Sequence, residues 1–152
     1  MISLAIVQFS FEEVRGKTVV DTSTYENNGT MGGGATIVHT KGNCGNAIKF
    51  ASGAYISIDG AIMKKIPHKA ITISLWLKLD SINGDKSIFT TVGYGHTAGQ
   101  YHFEVNNGIV RWFHRNEDSV EIFSVETGSS NMELVLIALL FSFSNLIFSL
   151  KS

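Results

Sequence analysis

From Ile71 to Asp80 the chain alternates without interruption. Ile71, Ile73, Leu75, Leu77 and Leu79 fall on one side, and Thr72, Ser74, Trp76, Lys78 and Asp80 on the other. Five period-two repeats in a row fit an extended strand and fit a helix poorly, because a helix returns to one face every 3.6 residues. The apolar side must be buried, and the polar side can face water. Trp76 lies on the polar side, where an exposed indole is a candidate ligand platform.

A second segment fixes a pairing. Asn107-Gly108 separates two β-favouring runs, Gln100–Asn106 and Ile109–Arg115. Asn-Gly is a strong two-residue hairpin signal, since both positions need positive φ. Counting outward from that turn places Asn106 opposite Ile109, Val105 opposite Val110, Phe103 opposite Trp112 and Tyr101 opposite His114. On the other face Glu104 meets Arg111. Apolar partners share one face and opposite charges the other, so the register is self-consistent.

Further short strands read at Ala5–Phe11, Thr18–Val20, Ala35–His39, Ala47–Phe50, Ala54–Ile58, Lys86–Val92 and Ser119–Val125. Asp21–Gly29 reads as a polar loop, Gly32-Gly33-Gly34 as a bend, and Ile62–Ile66 as one helical turn before Pro67. About ten short strands predict an all-β antiparallel sandwich. With 152 residues the chain is long enough for one core, and 15 glycines against one proline suit a turn-rich β protein.

The segments from 9 to 113, in order, resemble the laminin-G-like, concanavalin-A-like jelly roll, the family of the pentraxin and laminin-G-type modules. Phe9-Ser10-Phe11 opens the match. Asp21-Thr22-Ser23 with Asn27-Asn28-Gly29-Thr30 resembles its Asp/Asn loop, and Gly45-Asn46-Ala47-Ile48-Lys49-Phe50 its glycine-to-phenylalanine signature. Thr72–Lys78 resembles its tryptophan strand, and Tyr101–Phe113 its hairpin. The resemblance implies a jelly-roll sandwich and an extracellular or cell-surface recognition module that binds protein or carbohydrate. The same superfold hosts sugar-binding and sugar-hydrolysing proteins, so those remain alternatives, as does a truncated form with no function of its own. The resemblance also implies Ca²⁺, held at a loop edge by hard oxygens from Asp21, Asn27 and Asp59, with Asp80 a further source. Asn28-Gly29-Thr30 is a glycosylation tripeptide for a secretory setting.

The alternation stops near Gly128. Residues 1–126 form the jelly-roll portion and 127–133 a junction. From Leu134 to Leu150, thirteen of seventeen residues are apolar. That tail is expected to be helical, and the sandwich incomplete, because the family's later strands have no counterpart. Seventeen residues is the lower limit for crossing a bilayer core. The tail reads as a marginal membrane anchor, as a collapsing apolar segment, or, after Gly128-Ser129-Ser130, as a lipid-attachment signal. Met1–Val7 lacks Lys and Arg and reads as strand rather than as a secretory leader.

Chemistry is sparse. Charged residues make up 16% of the chain and the net charge is −1, which leaves no basic stripe for nucleic acid. His39, His68, His96, His102 and His114 lack metal-ligand spacing, and Cys44 is a lone, small thiol. No nucleophile elbow, phosphate loop or paired-carboxylate motif appears, so the reading is non-enzymatic.

Overall fold

The Asn107-Gly108 turn forms with φ of +48° and +81°, the paired left-handed conformation of a type I′ hairpin turn. It joins β9 (Tyr101–Asn106) to β10 (Ile109–Arg115) in the register that the sequence predicts. Asn106 faces Ile109, Val105 faces Val110, Glu104 faces Arg111, Phe103 faces Trp112 and Tyr101 faces His114. The computed structural model describes residues 5–40, 45–58, 70–91, 97–127, 135–142 and 145–151. Residues 128–133 of the junction, Leu134, Cys44, Asp59, and the expected helical turn at 62–66 lie outside them. Every described strand is paired antiparallel, in keeping with the all-β reading.

The chain divides into two compact units, 1–67 and 68–152. In the first, β1 (Phe9–Arg15), β2 (Thr18–Asp21), β3 (Gly29–Gly32) and β6 (Tyr55–Ile58) form one sheet in the order β1-β2-β3-β6. A two-stranded ribbon joins β4 (Thr36–His39) to β5 (Asn46–Lys49). The opening strand starts later than the sequence suggests and runs further. Phe11 adopts φ +64°, and the pairing with β2 shifts between Phe9 and Val14. This bulge lets two consecutive residues, Glu12 and Glu13, both face solvent before Val14 turns inward. β3 has no signature in the sequence because glycines occupy both of its ends. Gly29 is needed there: a Cβ would meet Ile56 Cγ2 at 2.5 Å and Phe9 Cζ at 2.9 Å. Val19 and Met31 are the buried apolar residues of this sheet.

The second unit holds two sheets. β8 (Asp85–Thr90) and β11 (Glu121–Glu126) flank the hairpin in the order β11-β10-β9-β8. β7 (Ala70–Leu77) belongs to the other sheet. Phe103, Val105, Val110 and Trp112 form the buried centre, and Ile73, Leu75, Leu77 and Leu79 pack against it. The alternating face of the 71–80 segment therefore meets the apolar face of the hairpin, which is sandwich packing. Trp112 is the hub. It is 1% exposed, and its ring lies 6.2 Å from those of Phe89 and Tyr101 and 6.3 Å from that of Phe103. Centroid spacings in this range add to the gain from buried area.

The apolar tail departs from its expected helical form. β12 (Val135–Ser142) pairs antiparallel with β7, and β13 (Asn145–Lys151) pairs with β12. The physical reason lies in β7. An unpaired strand edge exposes a row of N–H and C=O groups, and a following segment that can extend will satisfy them. Among the described residues no helix is long and apolar enough to cross a membrane.

This core yields a direct prediction. Trp112→Ala lowers unfolding stability by about 3–5 kcal/mol. Trp76→Ala, at a side chain 69% exposed, costs no more than about 0.5 kcal/mol. Urea denaturation of both variants checks this, and equal losses would contradict the assignment of Trp112 to the core.

Candidate functional site

The Asp/Asn loop between β2 and β3 is built around one carboxylate. Asp21 is 3% exposed. Its Oδ1 accepts from the Gln8 amide at 2.7 Å and the Ser23 amide at 2.9 Å. Its Oδ2 accepts from the Ser23 hydroxyl at 2.6 Å and the Asn27 amide at 2.7 Å. Asn27 Nδ2 donates to the Ile6 carbonyl at 2.9 Å, and Asn28 Oδ1 accepts from the Asp21 amide at 2.9 Å. Burial alone pushes the Asp21 carboxyl up. The Ser23 hydroxyl and the Ser23, Gln8 and Asn27 amides outweigh that and hold it below the ordinary aspartate value.

These contacts bear on calcium. An ion at Asp21 needs free carboxylate lone pairs, and both oxygens are already engaged by two donors each. Asn27 turns an amide nitrogen, not an oxygen, to its partner. The geometry is that of an Asx-type brace that ties the loop to residues 6–8, and Asp59, the third residue of the calcium expectation, lies outside the described residues. Asp80 is exposed beyond the end of β7, and among the described residues no three His, Cys, Asp or Glu side chains gather as a metal site. Asn28 is exposed.

The richer constellation is on the outer face of the β8–β11 sheet. The hairpin register that sends Phe103, Val105, Val110 and Trp112 inward sends His102, Glu104, Arg111, Phe113 and Arg115 to the other side. Arg111 stands in register between Glu104 on β9 and Glu126 on β11. Its Nη2 lies 2.8 Å from Glu104 Oε1 and its Nη1 3.9 Å from Glu126 Oε1. Glu104 is 5% exposed. A buried carboxylate persists only with a charged or hydrogen-bonded partner, which Arg111 supplies. Arg111 and Arg115 both lie over the Phe113 ring, 4.5 and 4.4 Å from its centroid, two cation–π contacts on one ring.

Gln100 joins the rest. Its Oε1 accepts from Arg115 Nη1, and its Nε2 lies 3.0 Å from His102 Nδ1 and 3.3 Å from Thr90 Oγ1. Arginine only donates, so the amide oxygen must face it, and the amide nitrogen then donates to His102. His102 Nδ1 is therefore an acceptor and the ring proton sits on Nε2, 3.0 Å from Ser87 Oγ and 3.6 Å from Glu104 Oε2. Burial holds the His102 imidazole below its ordinary range. Glu104 and Asp85 oppose this, while Arg115 and Arg111 reinforce it. The ring is thus neutral at pH 7 and acts as a hydrogen-bond relay. Beside this array a cleft of about 140 Å³ is lined by Asn106, Asn107, Ile109, Arg111 and Glu126.

The sequence-predicted residues split accordingly. Asp21, Asn27 and Asn28 meet in one loop. Trp76 stands exposed on β7, in the other unit. Of the outer-face network, the sequence predicts only the Glu104–Arg111 pair. His102, Gln100 and Arg115 gave no motif, and their signal was the hairpin count carried two residues further. The Asp21 brace predicts an acid-labile fold. Its folded value lies below the unfolded one near 3.9, so ionised Asp21 stabilises the fold above about pH 4, and the contribution disappears as pH falls through the lower folded value. Asp21→Asn should cost about 1–3 kcal/mol at pH 7 and should remove that acid-side loss. Urea melts from pH 7 to pH 3 check both, and an unchanged slope below pH 4 in the variant would contradict it.

No family model matches the chain, and no curated protein matches it. Among solved structures it is similar to a crystal structure of an S-layer domain-containing protein from Clostridium thermocellum. The TM-score is 0.65 at 19% identity, over 89% of this chain and 67% of that one. At that identity the likeness is one of fold.

Proposed function

We propose that this chain is a recognition module of the extracellular or cell-surface type, binding protein or carbohydrate without turning it over, and that the outer face of β8–β11 is its binding surface. One observation carries the reading. Arg111, Glu104, His102, Gln100 and Arg115 hold one another in fixed positions on a paired sheet beside a cleft. Polar groups already oriented by their neighbours lose little freedom when a ligand arrives. Regular strands also hold such groups more rigidly than loops do.

The resemblance to laminin-G-like and concanavalin-A-like modules supports a surface setting, and so does the fold shared with a protein described as S-layer domain-containing. The rival enzymatic reading needs an acid and a base facing substrate. Glu104 and Glu126 are on the same face, but Arg111 stands between them and pairs with both. That arrangement serves binding better than proton transfer.

The test is a biosensor screen of the full chain against glycans and extracellular matrix proteins. Saturable binding should weaken at least tenfold in Arg111→Ala and stay unchanged in Trp76→Ala. Loss confined to Trp76→Ala would move the site to β7, and hydrolysis of any glycan in the panel would overturn the non-enzymatic reading.

A further inference from the structure

We infer that the ligand of this face is a carboxylated oligosaccharide and that Arg115 receives its carboxylate; this rests on the reading of the β8–β11 face as the binding surface. The two arginines of β10 differ in one respect. Arg111 is matched by Glu104 and Glu126. Arg115 forms no ion pair among the described residues, although Glu121 stands opposite it across a bulge in the register. Arg115 is nevertheless held in place. Its guanidinium lies 4.4 Å from the Phe113 centroid, Nη1 donates to Gln100 Oε1, and its backbone amide donates to the Gln100 carbonyl at 2.8 Å. Gln100 is itself buried and fixed by Thr90 and His102. Nε and Nη2 of Arg115 make no hydrogen bond among the described residues. A pre-positioned guanidinium with unused N–H groups is the fork that takes a planar carboxylate through two parallel hydrogen bonds.

Charge and surface character narrow the class. Glu104, Glu126 and Glu121 lie on the flanking strands, so a singly charged carboxylate suits Arg115, the arginine of β10 without an ion pair among the described residues, better than a dianionic phosphate. The large apolar side chain between the arginines, Phe113, is 1% exposed. The centre of the face therefore lacks the exposed aromatic anchor on which protein interfaces depend. The cleft at the hairpin end instead offers Asn106, Asn107, Arg111 and Glu126, donors and acceptors suited to hydroxyl groups. Arg111 and Arg115 are four residues apart on one strand, about 13 Å. A ligand that uses both the cleft and Arg115 must be an extended chain of sugars.

Isothermal titration of the full chain with uronate-bearing oligosaccharides, and with their carboxyl-reduced counterparts, tests this. Carboxyl reduction should weaken binding at least tenfold. Arg115→Gln should weaken the acidic ligand by the same factor and leave the reduced ligand unaffected, so that the two losses do not add. Arg115→Lys, which keeps the charge and loses the fork, should fall between. If Arg115→Gln melts early, the lysine variant and the reduction series carry the comparison. Equal affinity for acidic and neutral oligosaccharides, or additive losses, overturns the inference and leaves the recognition reading standing. Failure of every acidic oligosaccharide also overturns it, and the recognition reading falls too if neutral glycans and matrix proteins fail to bind.

Discussion

The register of the β9–β10 hairpin is the constraint on which the second unit depends. Because strand side chains alternate, one count from Asn107-Gly108 decides both faces at once. It sends Phe103, Val105, Val110 and Trp112 into the core with β7, and Glu104, Arg111, Phe113 and Arg115 to the other side. A slip of one residue would bury the arginines and expose Trp112. The apolar face, costly to leave wet, therefore holds the polar face in place. The strong local turn and the hydrophobic core support the same pairing, the kind of agreement between levels that makes a sequence fold to one structure.

Two buried carboxylates among the described residues, Asp21 and Glu104, are satisfied in different ways. Asp21 is surrounded by backbone amides and one hydroxyl, all from residues close to its loop. These donors order the chain. Glu104 is satisfied mainly by a side chain, Arg111, whose other end lines a cleft. The neutral His102 and the amide of Gln100 pass the constraint across three strands to Arg115.

The sequence carried the parts of the fold that rest on simple periods. The 71–80 alternation and the hairpin register follow from counting by two: the hairpin pairs as counted, and exposure alternates from Ile73 to Asp80 although the strand itself ends at Leu77. β3 was not legible because Gly29 and Gly32 carry no hydrophobic signal, and their value lies in what a missing Cβ admits. The phase change at Phe11 was hidden because a bulge inserts one residue without altering composition. The apolar run of the tail has no period, and such runs do not distinguish helix from strand. Strand pairing with β7 is a tertiary fact. The outer-face site was half legible: opposite charges at 104 and 111 showed the pair, whereas Gln100, His102 and Arg115 gain meaning only once their side chains meet.

The measurement closest to the central claim is the set of cross-strand Hα–Hα contacts in the NMR spectrum of the full chain. Non-hydrogen-bonded pairs in an antiparallel ladder bring Cα atoms to about 4.5 Å. Strong contacts are expected for Val105 with Val110, Phe103 with Trp112 and Tyr101 with His114. Contacts that instead join Glu104 with Val110 or His102 with Trp112 would show a slipped register, and both the core and the outer-face array would fall with it.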